Sequence, residues 1–380
     1  MAAVAKECRV REGIDLFMKH LLQIDGMSRE EWTQGCASFA CNNLYQAWDY
    51  GEAHSMGRFR EVSRAALISN GKPVVMAQFQ IKRLPVAGIG VAEAYWGPLW
   101  HSEAGTAGES YLIEFLERIQ EEYSVKRGLN LRLEIRGVAN KEQNDGIASI
   151  LTGHGFGLKS CLRAYRTIIL DLTQSLDQLR GGLNGKWRNA LNKAERAGLE
   201  AECGSTAQHF ERFLKIYEEM WAQKRFPTGV HMKAIRAFHL NAIESNKLLI
   251  WNISDGGHDV AAGVFSALGD TMLYFLGATS PHMRKDSNPG YLIQWLNLRK
   301  AIELGLHYYD LGGLTDLPDS GVDQFKIRMG GSRVVFPGWF EASTTSWSHK
   351  AFPLFEKGFQ KARSLITKGA DLRVYQPRSL

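Results

Sequence analysis

Two stretches of the chain repeat one order of elements, and that repetition restricts the available folds more than any single motif. The first runs from Glu93-Ala-Tyr-Trp-Gly-Pro-Leu-Trp100 through a polar loop to Glu109-Ser-Tyr-Leu-Ile-Glu-Phe-Leu-Glu-Arg-Ile119. It continues through Gly128 and the apolar run Leu129–Ile135 to Gly153-His-Gly-Phe-Gly157. The second runs from Thr271-Met-Leu-Tyr-Phe-Leu-Gly-Ala278 through a polar loop to Pro289-Gly-Tyr-Leu-Ile-Gln-Trp-Leu-Asn-Leu-Arg299, then Gly305, Leu306-His-Tyr-Tyr-Asp-Leu311 and a glycine-rich segment. Both read as strand, polar loop, helix, glycine, strand and glycine-bounded turn. Tyr-Leu-Ile-Glu-Phe-Leu and Tyr-Leu-Ile-Gln-Trp-Leu open the two helices, and such short identities gain weight because they fall at equivalent places. A unit of about 100–130 residues written twice predicts an α/β (α+β) chain of two tandem units, with mixed sheets flanked by helices.

At 380 residues the chain is long enough for two domains with proper cores. The expected division is a first unit at 1–170, a second unit at 171–340 that includes a basic connecting helix, and a helical tail at 341–380. Phe355, Phe359, Ala362 and Ile366 stand at helical spacing in that tail, which should pack back on the units. Strands are expected at Ser63–Ile68 and Pro73–Ile81, with Arg163–Leu170 closing the first unit. The second meander is expected at Lys247–Ile253, Val260–Ala267 and Thr271–Leu276. Helices are expected at Tyr111–Tyr123, Lys186–Ala197 and Phe210–Gln223, with a break at Phe226-Pro-Thr-Gly229.

Several function classes are excluded or disfavoured. No apolar run approaches the ~18 residues of a membrane span, and the N-terminus lacks the apolar core of a secretory signal. Five cysteines, an odd number with no Cys-x-x-Cys spacing, suggest reduced thiols and a cytoplasmic protein. A monomer is expected. The eleven histidines show no metal-ligand spacing, and His231 and His239 read as surface helix residues. There is no Gly-x-Ser-x-Gly elbow, no phosphate loop ending in Gly-Lys-Ser/Thr, and no His-Glu-x-x-His. Gly88-Ile-Gly90 lacks the third glycine of a dinucleotide fingerprint, and Gly181-Gly-Leu-Asn-Gly-Lys186 reads as the turn before a helix.

The remaining chemistry is cationic and glycine-rich. Tyr308-Tyr-Asp-Leu-Gly-Gly313 is followed by Gly321-Val-Asp-Gln-Phe-Lys-Ile-Arg-Met-Gly-Gly331, which sets Lys326 and Arg328 between glycines. Glycines let the backbone approach a ligand, and a lysine there offers a cation to a phosphate or an oxyanion. Upstream, Ser280-Pro-His-Met-Arg-Lys-Asp-Ser-Asn-Pro-Gly290 brings Arg284 and Lys285 to a helix that opens Pro-Gly, a pyrophosphate cradle or a plain surface loop. The formal charge is +6, and part of it is concentrated. Arg180, Lys186, Arg188, Lys193 and Arg196 stand against the single acid Glu195. Trp187, Ala190, Leu191 and Ala194 form the apolar face of the same helix. Its basic face is either a phosphate contact or simply solvated.

In this order the motifs resemble the Fem-type transferases, a branch of the GNAT superfamily built from two GNAT-like units. The resemblance rests on Tyr274-Phe-Leu-Gly-Ala278, the Pro-Gly helix start, Ala301–Gly305, Tyr309-Asp-Leu-Gly-Gly313 and Phe325-Lys326. In the first half it rests on Leu44-Tyr-Gln-Ala-Trp48 and Tyr95-Trp-Gly-Pro98, and between the halves on Ala194-Glu-Arg-Ala-Gly198. It covers about Leu44 to Glu341. It implies transfer of an aminoacyl group from aminoacyl-tRNA to an amine, with no cofactor beyond the donor. The acceptor in that family is a peptidoglycan precursor, so a nucleotide-linked, lipid-linked or small-molecule amine is implied here.

Carried over, Lys326 would neutralise a phosphate or the tetrahedral oxyanion. Tyr274 and Tyr95 would shape the acceptor channel, and Arg284, Lys285 and Arg328 would contact substrate. Lys186, Arg188, Lys193 and Arg196 would face the tRNA. Asp310 would take the amine's proton if it points inward, or serve as a turn cap; Lys326 has the alternative of an ordinary surface lysine. Two features depart from the family: Ile135-Arg136-Gly137 replaces the frequent Asp-Pro, and the stretch from Glu200 to Lys247 is too short for a long helical arm. An N-acyltransferase using acyl-CoA, held by the Arg284–Pro289 loop, and a non-catalytic binder of anions are the competing readings.

Overall fold

The computed structural model describes residues 20–342, apart from 57–59, 84–89, 139, 225–229, 316 and 318–319. The expected break at 226–229 and the tail helix lie outside the described residues. In the first half the elements are β1 (Leu21–Ile24), α1 (Arg29–Ala37), α2 (Trp48–Ser55), β2 (Arg60–Ser69), β3 (Lys72–Arg83), β4 (Gly90–Tyr95), β5 (Leu99–Trp100), α3 (Thr106–Ile119), β6 (Leu129–Glu134), α4 (Lys141–Gly153) and β7 (Gly157–Leu158). Then come β8 (Arg166–Asp171), α5 (Leu176–Gly182), α6 (Gly185–Arg196), β9 (Glu200–Gly204), α7 (Ala207–Lys224) and α8 (Met232–Asn241). The second half holds β10 (Leu249–Asp255), β11 (His258–Leu268), β12 (Thr271–Thr279), α9 (Pro289–Glu303), β13 (Tyr308–Asp310), α10 (Gly321–Ile327), β14 (Ser332–Val335) and β15 (Phe340–Ala342).

The repeat read in the sequence is a repeat in space. An antiparallel meander, β2–β3–β4 or β10–β11–β12, leads into a crossing helix, α3 or α9, and then a strand parallel to the last of the meander. The parallel partners are β4 with β6 and β12 with β13. The shared helix motif supplies core: Leu112, Phe115, Leu116 and Ile119 pack with Phe79, Leu131 and Leu133. Leu292, Ile293, Trp295 and Leu298 pack with Phe265, Met272 and Tyr309. Each such side chain contributes about 1.5–3 kcal/mol when fully buried, and two of the positions, Leu112 with Leu292 and Phe115 with Trp295, are equivalent in the two helices.

The strand expected at Arg163–Leu170 does not close the first unit. As β8 it lies between β13 and β14 in the second sheet, antiparallel to both. In return β15 lies between β6 and β7 in the first sheet. The halves therefore exchange equivalent strands, and the expected boundary at 170/171 falls inside a strand of the second sheet. Alternation along Arg-Thr-Ile-Ile-Leu shows a strand but says nothing of its partner. The seam is apolar and aromatic: Trp96, Ile169, Leu273, Val334 and Phe336 are buried together. Arg136, just after β6, donates to Thr271 Oγ1 at 2.5 Å and reaches Asp270 at 3.5 Å, clamping the first half to the start of β12.

One smaller expectation is corrected. His239 is buried, at 1% exposure, stacked on Phe210, whereas His231 is exposed at the start of α8. Among the described residues the cysteines are free, and no helix is long and apolar enough to cross a membrane.

Candidate functional site

The site forms where β12 and β13 part. Their parallel pairing runs from Thr271↔Tyr308 to Leu273↔Asp310, while β12 continues to Thr279. Opposite this stretch the β11 pairing skips Phe275, since Phe265 faces Tyr274 and Val264 faces Leu276. Such bulges re-aim side chains next to sites. Tyr274 turns into a cavity of about 310 Å³ whose walls include Gly277, Thr279, Pro289, Tyr291, Val322 and Phe325. A Cβ on Gly277 would fall 1.9 Å from the Tyr274 hydroxyl, so the tyrosine requires glycine there.

The N-terminus of α9 borders this cavity. Asn288 adopts φ 50°, ψ 43° and makes no side-chain cap, with Pro289 in the first turn. The positive end of the helix dipole thus borders the cavity without a capping side chain, a favourable setting for an anion or a carbonyl oxygen.

Beside Tyr274 lie two buried ionisable groups. Lys326, on α10, is only 7% exposed. Its Nζ donates to Gly313 O at 2.7 Å and stands 5.7 Å from the Tyr274 ring centre. Burial pulls its pKa down to about 8, against the opposing pull of Asp310 and Asp323. Asp310, at the end of β13, is fully buried. Its Oδ1 accepts from the Thr167 hydroxyl and from the Gly312 N–H at 2.8 Å, while its Oδ2 has no partner among the described residues. Burial pushes its pKa up, partly offset by those two bonds and by Arg136 and Lys326. Gly312 has φ 76°, and a Cβ there would lie 2.5 Å from Tyr274 O and 3.4 Å from Lys326 Nζ. The glycines of Tyr309-Asp-Leu-Gly-Gly313 thus allow the lysine to close on the strand end. The loop before α10 is held by Asp323, which accepts from Thr315 N and Oγ1 at 3.0 and 2.9 Å.

The other residues singled out in the sequence divide. Arg284 does not stand open as a phosphate ligand: its Nε donates to Asp255 at 2.5 Å and its Nη2 to Ala197 O at 2.9 Å. Lys285 is exposed on the same loop. Tyr95 opens onto a different cavity, about 330 Å³, shared with Tyr45, Lys82, His231 and Phe275 between the halves, and its hydroxyl donates to Glu93. Lys186, Arg188, Lys193 and Arg196 are exposed along α6, with Glu195 turned to Arg180. Trp187, on the buried face of that helix, packs on Tyr291 and Phe325 of the cavity wall. Arg328 is exposed, and its carbonyl accepts from Asn184 N just before α6. The basic helix therefore backs one wall of the Tyr274 cavity through Trp187, with its cations on its exposed face.

Two buried polar residues were not foreseen. Thr167 carries no motif and reaches the site only through the strand exchange. Glu134 ends β6 as Asp310 ends β13, so the repeat itself could have pointed to it. It is 4% exposed, and burial lifts its pKa to about 8 against a bond from the Tyr165 backbone N–H.

A family model described as an acetyltransferase (GNAT) domain matches residues 184–326, the span from α6 to Lys326. Among curated proteins none matches the chain. Among solved structures, FemX superposes with a TM-score of 0.74 over 88% of this chain and 100% of its own, at 15% identity. A conserved protein of unknown function from Bacteroides thetaiotaomicron gives 0.56 over 86% of this chain and 100% of its own, at 13% identity. The C-terminal domain of a proposed lysylphosphatidylglycerol synthetase from Agrobacterium fabrum gives 0.54 over 85% and 94%, at 13% identity. At such identities the likeness is one of fold. With the two sheets and their exchanged strands, it makes this chain a tandem GNAT-like α/β protein, similar in arrangement to FemX.

Proposed function

We propose that the protein is an amide-forming acyltransferase that moves an aminoacyl group from aminoacyl-tRNA to the amine of a small or carrier-linked acceptor. The observation that carries this reading is that Lys326 and Asp310 are both buried and sense each other's charge next to Tyr274, which lines a cavity bordered by a helix N-terminus. The donor ester is already activated, so catalysis reduces to holding the partners and stabilising charge. The acceptor amine attacks the ester carbonyl, a C–N bond forms, the C–O bond to the ribose breaks, and the ribose oxygen takes up a proton. Lys326, as the ammonium, faces the oxyanion of the tetrahedral intermediate, a role worth about 10²–10³ in rate for a single donor. Asp310 has one oxygen, Oδ2, without a partner among the described residues, and it takes the amine's proton there once bound substrate reaches the carboxyl.

The exposed cations of α6, with Arg328, suit a polyanionic donor. Arg284 is engaged by Asp255, which weakens the case for a diphosphate on that loop. The alternative, an acyl-CoA donor, is supported by the acetyltransferase family match and by the α9 N-terminus. Purified protein incubated with tRNA charged with labelled amino acids and an extract of small amines separates the two. RNase-sensitive amide formation supports the first reading. Turnover with acyl-CoA that RNase does not affect supports the second, and failure with both donors overturns the acyltransferase reading.

A further inference from the structure

The exchanged strand β8 brings the Thr167 hydroxyl onto Asp310. Thr167 is wholly buried, and its hydroxyl has a single proton to give. Three acceptors compete for that proton: Asp310 Oδ1, Gly312 O at 3.0 Å and, more distant, Ile168 O at 3.3 Å. Gly312 N–H donates to the same Oδ1, so with the hydroxyl turned to the carboxylate Oδ1 accepts two bonds and Oδ2 none. The two oxygens are therefore inequivalent. Oδ1 is occupied by donors that favour the charged form, and a proton arriving at the carboxyl has only Oδ2 to take. The adjoining peptide ties this to the lysine, because Gly313 O accepts from Lys326 Nζ.

We infer that Thr167 is a positioning residue for Asp310: its hydroxyl fixes Oδ1 and leaves Oδ2 as the atom that exchanges a proton with substrate. The inference deepens the proposed function and rests on it for the identity of that substrate. It also gives the strand exchange a purpose, since the second half's site is incomplete without a residue carried in from the first half. The charged or titratable groups around Asp310 are Lys326 and Arg136, which favour its ionised form. Tyr45, Tyr165 and Tyr309 also sense its charge. Glu134, bonded by Tyr165 of the same β8 approach, is a second buried acid that must be told apart.

The experiment compares wild type with Thr167→Val, which keeps the shape, and Thr167→Ser, which keeps the hydroxyl. The Asp310 carboxyl is followed by 13C NMR, its resonance identified by loss in Asp310→Asn, with Glu134→Gln identifying the other acid. Removing one of two donors to the charged form should raise the Asp310 titration in Thr167→Val by about one pH unit. The acid limb of kcat should move up with it. Activity on the acid side of that limb should fall about tenfold with KM nearly unchanged, and Thr167→Ser should restore both. An unmoved titration, or a serine variant as defective as valine at equal thermal stability, overturns the inference. Absence of transfer by the wild type with either donor overturns the functional reading instead, while the titration still decides whether Thr167 governs the carboxyl.

Discussion

The two halves share one scaffold and treat buried charge in opposite ways. In the first, Arg132 on β6 is 1% exposed and donates to Glu341 at 2.5 Å and Glu93 at 3.1 Å. Lys159 completes Glu341 at 2.5 Å, and Lys82 and Tyr95 complete Glu93. In the second half Asp310 keeps an oxygen without a partner and Lys326 bonds only a backbone carbonyl among the described residues. A closed network holds strands together; an open pair holds back interactions for a ligand. On the proposed reading the duplicated unit is divided between these tasks, and the closed network spans β4, β6 and the exchanged β15, where the swap has to be held.

The largest expected effect tests the closed side. Arg132→Met leaves two buried carboxylates short of a partner and should lower stability by about 3–5 kcal/mol, read by urea unfolding. Lys326→Ala should do the reverse, cutting kcat/KM by about 10²–10³ with little loss of stability, because a poorly compensated buried amine is removed. If Lys326→Ala unfolds the protein as readily as Arg132→Met, the contrast between the halves collapses and Lys326 belongs to the scaffold.

A third prediction concerns pH. With its pKa drawn down to about 8, Lys326 is mostly the ammonium at neutral pH and loses its proton as pH rises through that value. Transfer that needs the cation should therefore decline above about pH 8. Lys326→Arg, whose guanidinium stays charged, should lose that alkaline limb even if its rate is lower throughout. A limb that survives in the arginine variant belongs to another group, and Glu134, raised to about 8, is the first to examine.

How much of this was legible depends on range. The repeat was readable because each helix motif serves its own core: Leu112 and Phe115, or Leu292 and Trp295, need nothing distant to explain them. Lys326 and Asp310 were readable because the glycines beside them mark close backbone approach. Thr167 was not, since its importance comes from a partner 143 residues away. Arg284 misled for the same reason: a cation beside a helix start looks available until Asp255, 29 residues upstream, is found holding it. Local periodicity encodes elements, whereas the pairing of exchanged strands and of salt bridges is a property of the assembled sheet.

The smallest effect tests whether the open half faces a polyanion at all. Lys186 and Arg188 lie in the first turn of α6 and are exposed, on the helix whose Trp187 underlies the cavity wall. Replacing both by glutamate leaves that buried face untouched, so folding should be unchanged. If the donor is RNA, each lost phosphate contact reduces the slope of log affinity against log salt by about 0.7–0.9. The double variant should thus bind charged tRNA several-fold more weakly at low salt and lose most of that difference at high salt. Turnover with saturating donor should be preserved, because both residues are exposed whereas Lys326 is buried. An equal loss at every salt concentration would mean that the helix shapes the cavity rather than attracting the donor. No loss at all would return its basic face to solvent and favour the smaller, CoA-type donor.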